Sequence, residues 1–241
     1  MVAKSFKYFL RFHKISIDLV VNLRFVKINY LMDFDSFLTH ISSLKDTPLG
    51  GMDSQFKMAP TLRKQFSLES MVKPNAKKSA VLALFYPNDT NQTTFLLTLR
   101  ARYNGTHSSQ ISFPGGKVDK TDVNLQNTAL RETNEETGIL TKDIQIFREL
   151  SKTYIPPSNF WVTPYIGYLD FKPQFVANHE VDTFIEVTLN DLLDDTMVTT
   201  ENLTTSYMKS IDVPCFKLND YIVWGATAMI LSEIKDLLKS L

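Results

Sequence analysis

The sequence predicts a mixed α/β fold in which strands and helices alternate along the chain. Residues 79–86 (SAVLALFY) and 94–100 (TFLLTLR) are apolar and of strand length, and the turn-rich residues between them predict a hairpin. A helix is predicted after this hairpin, between Asp122 and Gly138. Later strand candidates are residues 144–155, 161–169 and 183–189. This order of elements agrees with helices packed on a sheet.

The segments around this central region are predicted from the same signals. Residues 34–44 carry an apolar stripe at helical spacing, which predicts a helix packed on the core. Residues 47–59 contain Pro48, Gly50 and Gly51 and are predicted to form a loop. Near the carboxyl terminus, residues 221–227 lead into a helix that is predicted to run through Leu238.

The composition predicts one well-buried domain with an appendage. The chain has 241 residues, of which 44% are hydrophobic, enough for a single core. Its 26 basic residues equal its 26 acidic residues, and this balance argues against a surface built to bind nucleic acid. The single cysteine, Cys215, excludes an intrachain disulfide and is expected to be a small buried residue.

The amino-terminal residues 1–32 are predicted to be a poorly ordered or targeting-like extension, and residues 33–241 are predicted to form the domain. Basic and apolar residues alternate in the extension, where Asp18 is the only acid. Its apolar runs are too short for a membrane span, and it lacks the uninterrupted core of a signal peptide. Two interpretations stay open: a mitochondrial transit peptide, and a chain that really starts at Met32.

Residues 113–139 are the most informative stretch, because they predict a strand end, a glycine loop and a helix that carries carboxylates. Gly115 and Gly116 allow backbone conformations closed to other residues, so a carbonyl of the loop can face an ion or a phosphate. Asp122 is predicted to cap the start of the helix, and Gly138 is predicted to end it in a left-handed conformation.

Three glutamates of this helix, Glu132, Glu135 and Glu136, crowd within one turn and therefore require a nearby cation. Hard oxygen ligands on one rigid element suit Mg²⁺ or Mn²⁺, which also bind substrate phosphates. Arg131 is placed to orient the carboxylates through a charge-assisted hydrogen bond. A solvated acidic helix face is the alternative interpretation, and the adjacent glycine loop favours the metal site over it.

The glycine pair followed by RETNEETGI at residues 131–139 resembles the Nudix box, whose helix reads R-E-U-x-E-E-x-G-U with U aliphatic. Thr133 stands at one of the aliphatic positions. Asp122 stands at the position of the first glutamate of the box, and one extra residue separates it from Arg131. The chain is nevertheless similar to the coenzyme A diphosphatase branch of the family, which has this longer spacing after GGK.

That branch also carries an upstream signature, which the chain matches in part. Residues 96–101 (LLTLRA) fit its L-L-T-x-R-A motif in register with the FPGG at residues 113–116. Gly105 stands where the signature has arginine, and Ser109 stands where it has glycine. Arg102 lies close to the missing arginine and is a candidate to replace it.

The resemblance implies a Nudix-type α/β/α sandwich with a mixed β-sheet, and a hydrolase that cleaves the diphosphate linkage of coenzyme A or its thioesters. The products would be 3′,5′-ADP and 4′-phosphopantetheine derivatives. Mg²⁺ or Mn²⁺ is implied as the cofactor, with a small-molecule substrate and no nucleic-acid partner. The implied metal ligands are Glu132, Glu135, Glu136 and the Gly115 carbonyl.

The remaining site residues follow from the same resemblance and from their places along the chain. Glu135 or Glu180 is the candidate base that takes a proton from the attacking water. Arg100, Arg102 and Gly116 are the substrate-binding candidates, while Asp122 and Arg131 hold or orient the carboxylate helix. Four aromatic residues are candidates to stack an adenine, with core packing as the alternative: Phe113, Tyr154, Phe160 and Trp161.

Two alternatives for the function stay open. The first keeps the reaction and changes the substrate to NADH, ADP-ribose or another nucleoside diphosphate derivative. The second is a module that binds a nucleotide without cleaving it. The eukaryotic proteins that the chain resembles imply a peroxisomal location, with the mitochondrion as the alternative; the last three residues, KSL, have the letters of a peroxisomal signal in another order.

Overall fold

The computed structural model describes residues 32–64, 71–101, 110–204 and 209–241, which belong to one compact unit, Met32–Leu241. Residues 1–31 lie outside the described residues, so the extension stays a prediction. Arg102, Gly105 and Ser109 also lie outside them.

The described residues contain the predicted helices and strands, but the strand predicted at residues 144–155 is divided into two, and further elements are present that the sequence does not predict. The helices are α1 (Phe34–Asp46), α2 (Gly51–Phe56), α3 (Thr61–Lys64), α4 (Leu125–Thr137), α5 (Leu189–Leu193) and α6 (Gly225–Lys239). The strands are β1 (Lys77–Pro87), β2 (Thr93–Arg100), β3 (Ile111–Ser112), β4 (Gly115–Lys117), β5 (Gln145–Glu149), β6 (Thr153–Ile155), β7 (Phe160–Tyr168), β8 (Val181–Thr188), β9 (Val198–Leu203), β10 (Ile211–Leu218) and β11 (Tyr221–Trp224). None of the helices seen in these segments is both long and apolar enough to cross a membrane.

Strands β1 to β8 form one mixed sheet, with β1 near its centre. Strand β1 pairs in parallel with β7 and antiparallel with β2 and β4. Strand β2 also pairs antiparallel with β3 and β8, and β7 pairs antiparallel with β5 and β6. The predicted hairpin is confirmed, because Phe85 of β1 lies opposite Phe95 of β2.

Side chains of β1 alternate between two separate hydrophobic cores, one on each face of the sheet. Leu82 and Leu84 pack in a core that contains Ala129 of α4. Ala83 and Phe85 point the other way, into a core built with α1 and α6. Full burial of a side chain such as Phe85 contributes about 1.5–3 kcal/mol. The predicted α/β class with a mixed sheet is confirmed, with helices on both faces.

The loop predicted at residues 47–59 is wrong in part, because it contains helix α2. The Gly51 N–H donates to Glu233 Oε1 at 2.9 Å, and Gln55 Nε2 donates to Glu233 Oε2 at 3.1 Å. Glu233 is fully buried in α6. Contacts with a distant residue therefore hold this short helix, against the turn-forming local sequence.

A second, three-stranded antiparallel sheet joins β9, β10 and β11, and the sequence predicts none of its strands. Most residues of β9 are exposed, so its sequence lacks the apolar alternation that indicates a strand. Cys215 of β10 is fully buried, which confirms the prediction made for it.

Candidate active site

Helix α4 follows the glycine strand β4 after the connection at residues 118–124, and it carries the three glutamates. Its amino-terminal cap is Asn124, whose side chain accepts a hydrogen bond from Asn127 N. The cap predicted at Asp122 is therefore wrong: a helix that begins at Leu125 places Asp122 outside the capping position. The predicted end is confirmed, because Gly138 follows the helix with φ 76°.

Asp122 instead binds Arg131 through two parallel hydrogen bonds. Arg131 Nε and Nη2 donate to the two carboxylate oxygens of Asp122 at 2.9 and 3.0 Å. Asp119 N and Thr128 Oγ1 also donate to Asp122, each at 2.8 Å. These bonds, that of Arg131 above all, hold the pKa of Asp122 well below its usual range. The paired charges fasten the loop before α4 to the helix itself.

The other side of the Arg131 guanidinium faces the helix carboxylates. Its Nη1 lies 2.9 Å from Glu132 Oε1 and 3.1 Å from Glu135 Oε2. Its Nη2 donates to the Lys117 carbonyl of β4 at 3.1 Å. One arginine thus ties the glycine strand to two of the three glutamates, which is the geometry that an orienting residue needs.

Glu136 is 2% exposed, the most buried of the three glutamates. Its Oε2 accepts a hydrogen bond from Gly115 N at 3.2 Å, and its Oε1 lies 3.5 Å from Arg100 Nη1. Burial raises the pKa of Glu136 to about 7, and repulsion from Glu132 and Glu180 adds to this rise. A carboxyl group at the centre of the site therefore titrates near neutral pH.

The two loop glycines are required for different reasons. Gly115 has φ 149°, and a Cβ there would lie 2.4 Å from the Ala80 carbonyl oxygen. Gly116 does not have a positive φ, but a Cβ there would lie 2.4 Å from the carboxyl carbon of Glu132. The first glycine thus permits the backbone conformation predicted from the sequence, and the second leaves room for the Glu132 carboxylate.

Arg100 joins the helix carboxylates to Glu180. Its Nη2 lies 3.2 Å from Glu180 Oε2, while its Nη1 faces Glu136. Glu180 comes directly before β8, which pairs with β2, and the Ala101 N–H donates to the Glu180 carbonyl at 2.8 Å. Pairing of two strands distant in sequence therefore brings Glu180 to the carboxylate helix. Arg102, the second predicted substrate-binding arginine, lies outside the described residues.

Glu135 lies at the exposed edge of the site. Its side chain is 51% exposed, against 17% for Glu132 and 3% for Glu136. Residues three or four apart on a helix are neighbours, and Arg131 Nη1 contacts both Glu132 and Glu135. Glu135 is therefore the most solvent-exposed of the three predicted metal ligands.

No group of three or more His, Cys, Asp or Glu side chains in the described parts of the chain has the arrangement of a metal site. The chemistry of the carboxylates nevertheless fits a hard divalent cation. Burial raises the pKa of Glu132 as well, and repulsion from Glu135 and Glu180 contributes. Arg100 and Arg131 face four carboxylates, those of Glu132, Glu135, Glu136 and Glu180, so negative charge is in excess. The oxygen atoms of these carboxylates suit Mg²⁺ or Mn²⁺.

A cleft of about 240 Å³ opens beside these carboxylates. Gly115, Gly116 and Arg100 line it on the side of the carboxylates, and Phe160 and the amino end of α6 also line it. Two of the predicted adenine-stacking aromatics, Phe113 and Phe160, line the cleft, although Phe113 is only 2% exposed.

The other two predicted stacking residues contact each other. The rings of Tyr154 and Trp161 lie 5.3 Å apart between centroids, and neither residue lines the cleft as the structure describes it. On strand β7 the side chains alternate, so Trp161 points away from the face that carries Phe160. Trp224, which sequence reasoning missed, lines the cleft because β11 ends beside it.

A comparison with protein families finds that residues 76–205, more than half of the chain, match the model of the NUDIX domain. An uncharacterised Nudix hydrolase, NudL, from Pectobacterium atrosepticum is 31% identical over 186 residues, which cover 71% of this chain and 89% of that protein. A NudL protein from Yersinia pestis is 31% identical over 153 residues, which cover 59% of this chain and 71% of that protein.

The solved structures to which the chain is similar are more distant in sequence. The Nudix hydrolase RenU from M. smegmatis is 15% identical, with a TM-score of 0.47, over 69% of this chain and 88% of that chain. An Ap4A hydrolase from C. elegans is 19% identical, with a TM-score of 0.46, over 68% of this chain and 99% of that chain.

Proposed function

The chain belongs to the Nudix hydrolase family and acts on phosphorus-containing anhydrides, and from this premise we propose that its substrate is coenzyme A or a coenzyme A thioester. The observation that carries the proposal is the position of Arg100. This arginine belongs to the L-L-T-x-R motif that resembles the coenzyme A diphosphatases, and it lines the cleft while contacting Glu136 and Glu180. A substrate bound in the cleft would therefore meet Arg100 beside these two carboxylates.

The reaction is hydrolysis of one P–O–P linkage. The oxygen of a water molecule bonds to one phosphorus, the bridging P–O bond breaks, and the leaving phosphate takes up a proton. For coenzyme A the products are 3′,5′-ADP and 4′-phosphopantetheine. The water must lose a proton, and Glu135 and Glu180 are the two proposed bases, because each has a well-exposed carboxylate at the site.

Enzymes of this family generally use divalent metal ions, and we propose Mg²⁺ or Mn²⁺ here. Glu132, Glu135, Glu136 and the Gly115 carbonyl would hold the ion, which supplies charge neutralisation at the phosphate oxygens and a water of lowered pKa. Arg131 keeps Glu132 and Glu135 in place through its bonds to Asp122 and Lys117. Arg100 offers its guanidinium to the substrate phosphates.

The test is mass-spectrometric analysis of products after the full chain is incubated with coenzyme A, NADH and ADP-ribose, with Mg²⁺ or Mn²⁺. Release of 3′,5′-ADP from coenzyme A is expected. Glu136→Gln should abolish turnover. The matched control is Glu201→Gln, the same change at an exposed position of β9, which should leave turnover unchanged.

Other outcomes would replace the proposal. Cleavage of only NADH or ADP-ribose would show the same hydrolysis reaction with a different substrate. Gly105 favours this alternative, because the coenzyme A signature has arginine at that position. No cleavage of any of the three would favour a nucleotide-binding module; the complete set of helix carboxylates argues against this. A peroxisomal or mitochondrial location stays a prediction from the resemblance.

A further inference from the structure

Three buried polar atoms without a hydrogen-bond partner belong to residues of the same cleft. They are Arg100 Nε, Ser112 Oγ and Ser158 Oγ. Among the side chains that the structure describes, only one other buried nitrogen or oxygen, Arg63 Nε, has no partner. Folded proteins leave few such atoms, because each one costs free energy. Three of these four atoms thus belong to residues of one cleft, where a bound molecule could supply the missing partners.

The two serines reach the cleft from different elements. Ser112 is the last residue of β3, and Ser158 lies in the turn between β6 and β7. A serine hydroxyl moves among three staggered positions by rotation about its Cα–Cβ bond. Each hydroxyl can therefore change direction without a movement of the backbone.

The amino end of helix α6 lines the same cleft through Trp224, Gly225 and Thr227. This helix has 15 residues, no side chain caps its start, and its first turn carries no acidic residue. The first N–H groups of a helix have no partner within it, and they favour an anion. A Cβ added at Gly225 would meet nothing within 4 Å, so the space beside this residue is open.

The size of the cleft and its walls limit what can bind there. Its volume of about 240 Å³ is below the roughly 300–1,000 Å³ of sites that enclose a whole drug-sized ligand. It therefore takes one end of a substrate as large as coenzyme A. Phe160, Val162 and Trp224 supply apolar surface that suits a base. Arg100 is the only charged side chain among the described residues that line it.

We propose that Ser112, Ser158 and the amino end of α6 form a subsite for a phosphate monoester of the substrate. This subsite deepens the proposed function and rests on it, because coenzyme A carries a phosphate on its ribose outside the diphosphate. NADH and ADP-ribose lack such a group. Neutral hydrogen-bond donors of the subsite bind that phosphate. Arg100 contacts the carboxylates and binds the diphosphate instead.

The test compares coenzyme A with 3′-dephospho-coenzyme A in the full-length protein. In Ser112→Ala and in Ser158→Ala, the ratio of kcat/KM for coenzyme A over that for the dephosphorylated form should fall about tenfold, as expected when one hydrogen bond to a charged group is lost. Ser79→Ala is the matched control: Ser79 lines the same cleft, but its hydroxyl already donates to the Trp161 carbonyl. This variant should leave the ratio unchanged.

An equal loss on both substrates, or an unchanged ratio in both serine variants, would overturn the subsite. If the wild-type protein cleaves neither compound, the proposed function fails, and the subsite is tested separately by calorimetric binding of 3′,5′-ADP and 5′-AMP. The subsite predicts tighter binding of 3′,5′-ADP, by about tenfold or more, and loss of that preference in Ser158→Ala. Equal affinity for the two nucleotides would contradict it.

Discussion

The Glu132 carboxylate occupies the space that a side chain on Gly116 would need, because a Cβ at Gly116 would lie 2.4 Å from the Glu132 carboxyl carbon. The end of a glutamate side chain is flexible, so Gly116→Ala should displace the carboxylate without unfolding the protein. We expect turnover and metal affinity to fall at least tenfold, because even mutation of the groups that only orient a metal ligand typically costs about 10–100-fold. The melting temperature should change by only a few degrees.

Gly115→Ala, unlike Gly116→Ala, should mainly lower the stability of the folded protein. A Cβ at Gly115 would meet the backbone of Ala80 and Val81 at 2.4 and 2.6 Å, and φ is 149°. Neither strand can retreat without breaking the pairing of β1 with β4, so we expect a loss of about 1–3 kcal/mol or more in the free energy of unfolding. Urea denaturation of both glycine variants measures the difference. A larger loss in Gly116→Ala than in Gly115→Ala would contradict this interpretation.

The bidentate pair of Asp122 and Arg131 should stabilise the folded protein at neutral pH and lose this effect in acid. The pKa of Asp122 is lowered in the folded state, chiefly by hydrogen bonds from Arg131, so its contribution is present above the unfolded pKa of about 3.9 and is lost as the pH falls below it. Asp122→Asn should cost about 1–3 kcal/mol at pH 7 and much less at pH 2. A penalty that does not depend on pH would show that the charge is unimportant.

Glu136 should give the metal-free protein the opposite dependence on pH. Its folded pKa is about 7, above the ordinary 4.5, so folding favours the protonated form. Its stabilising effect is complete below pH 4.5 and is lost as the pH rises through 7. With a chelator present, the free energy of unfolding should fall by about 3 kcal/mol from this group between pH 4 and pH 8. Glu136→Gln should remove most of that decrease.

The elements of the site were predictable from the sequence where short-range signals specify them. The hairpin and helix α4 carry local patterns, and Gly138 marks the end of the helix. The placement of Glu180 beside Arg100 was suggested only by family resemblance, because it depends on the pairing of β2 with β8 across some 80 positions of sequence. The burial of Glu136 also follows from the packing of α4 on the sheet, which a run of three glutamates does not reveal.

The central claim is that the carboxylates of α4 hold a divalent cation, and Mn²⁺ binding tests it most directly. Electron paramagnetic resonance measures free Mn²⁺ during titration of the wild-type protein, of Glu136→Gln and of the exposed control Glu201→Gln. The wild type and the control should bind Mn²⁺ with equal affinity, and Glu136→Gln should bind it at least tenfold more weakly. Equal binding by all three proteins would contradict the assignment of the metal site to this helix.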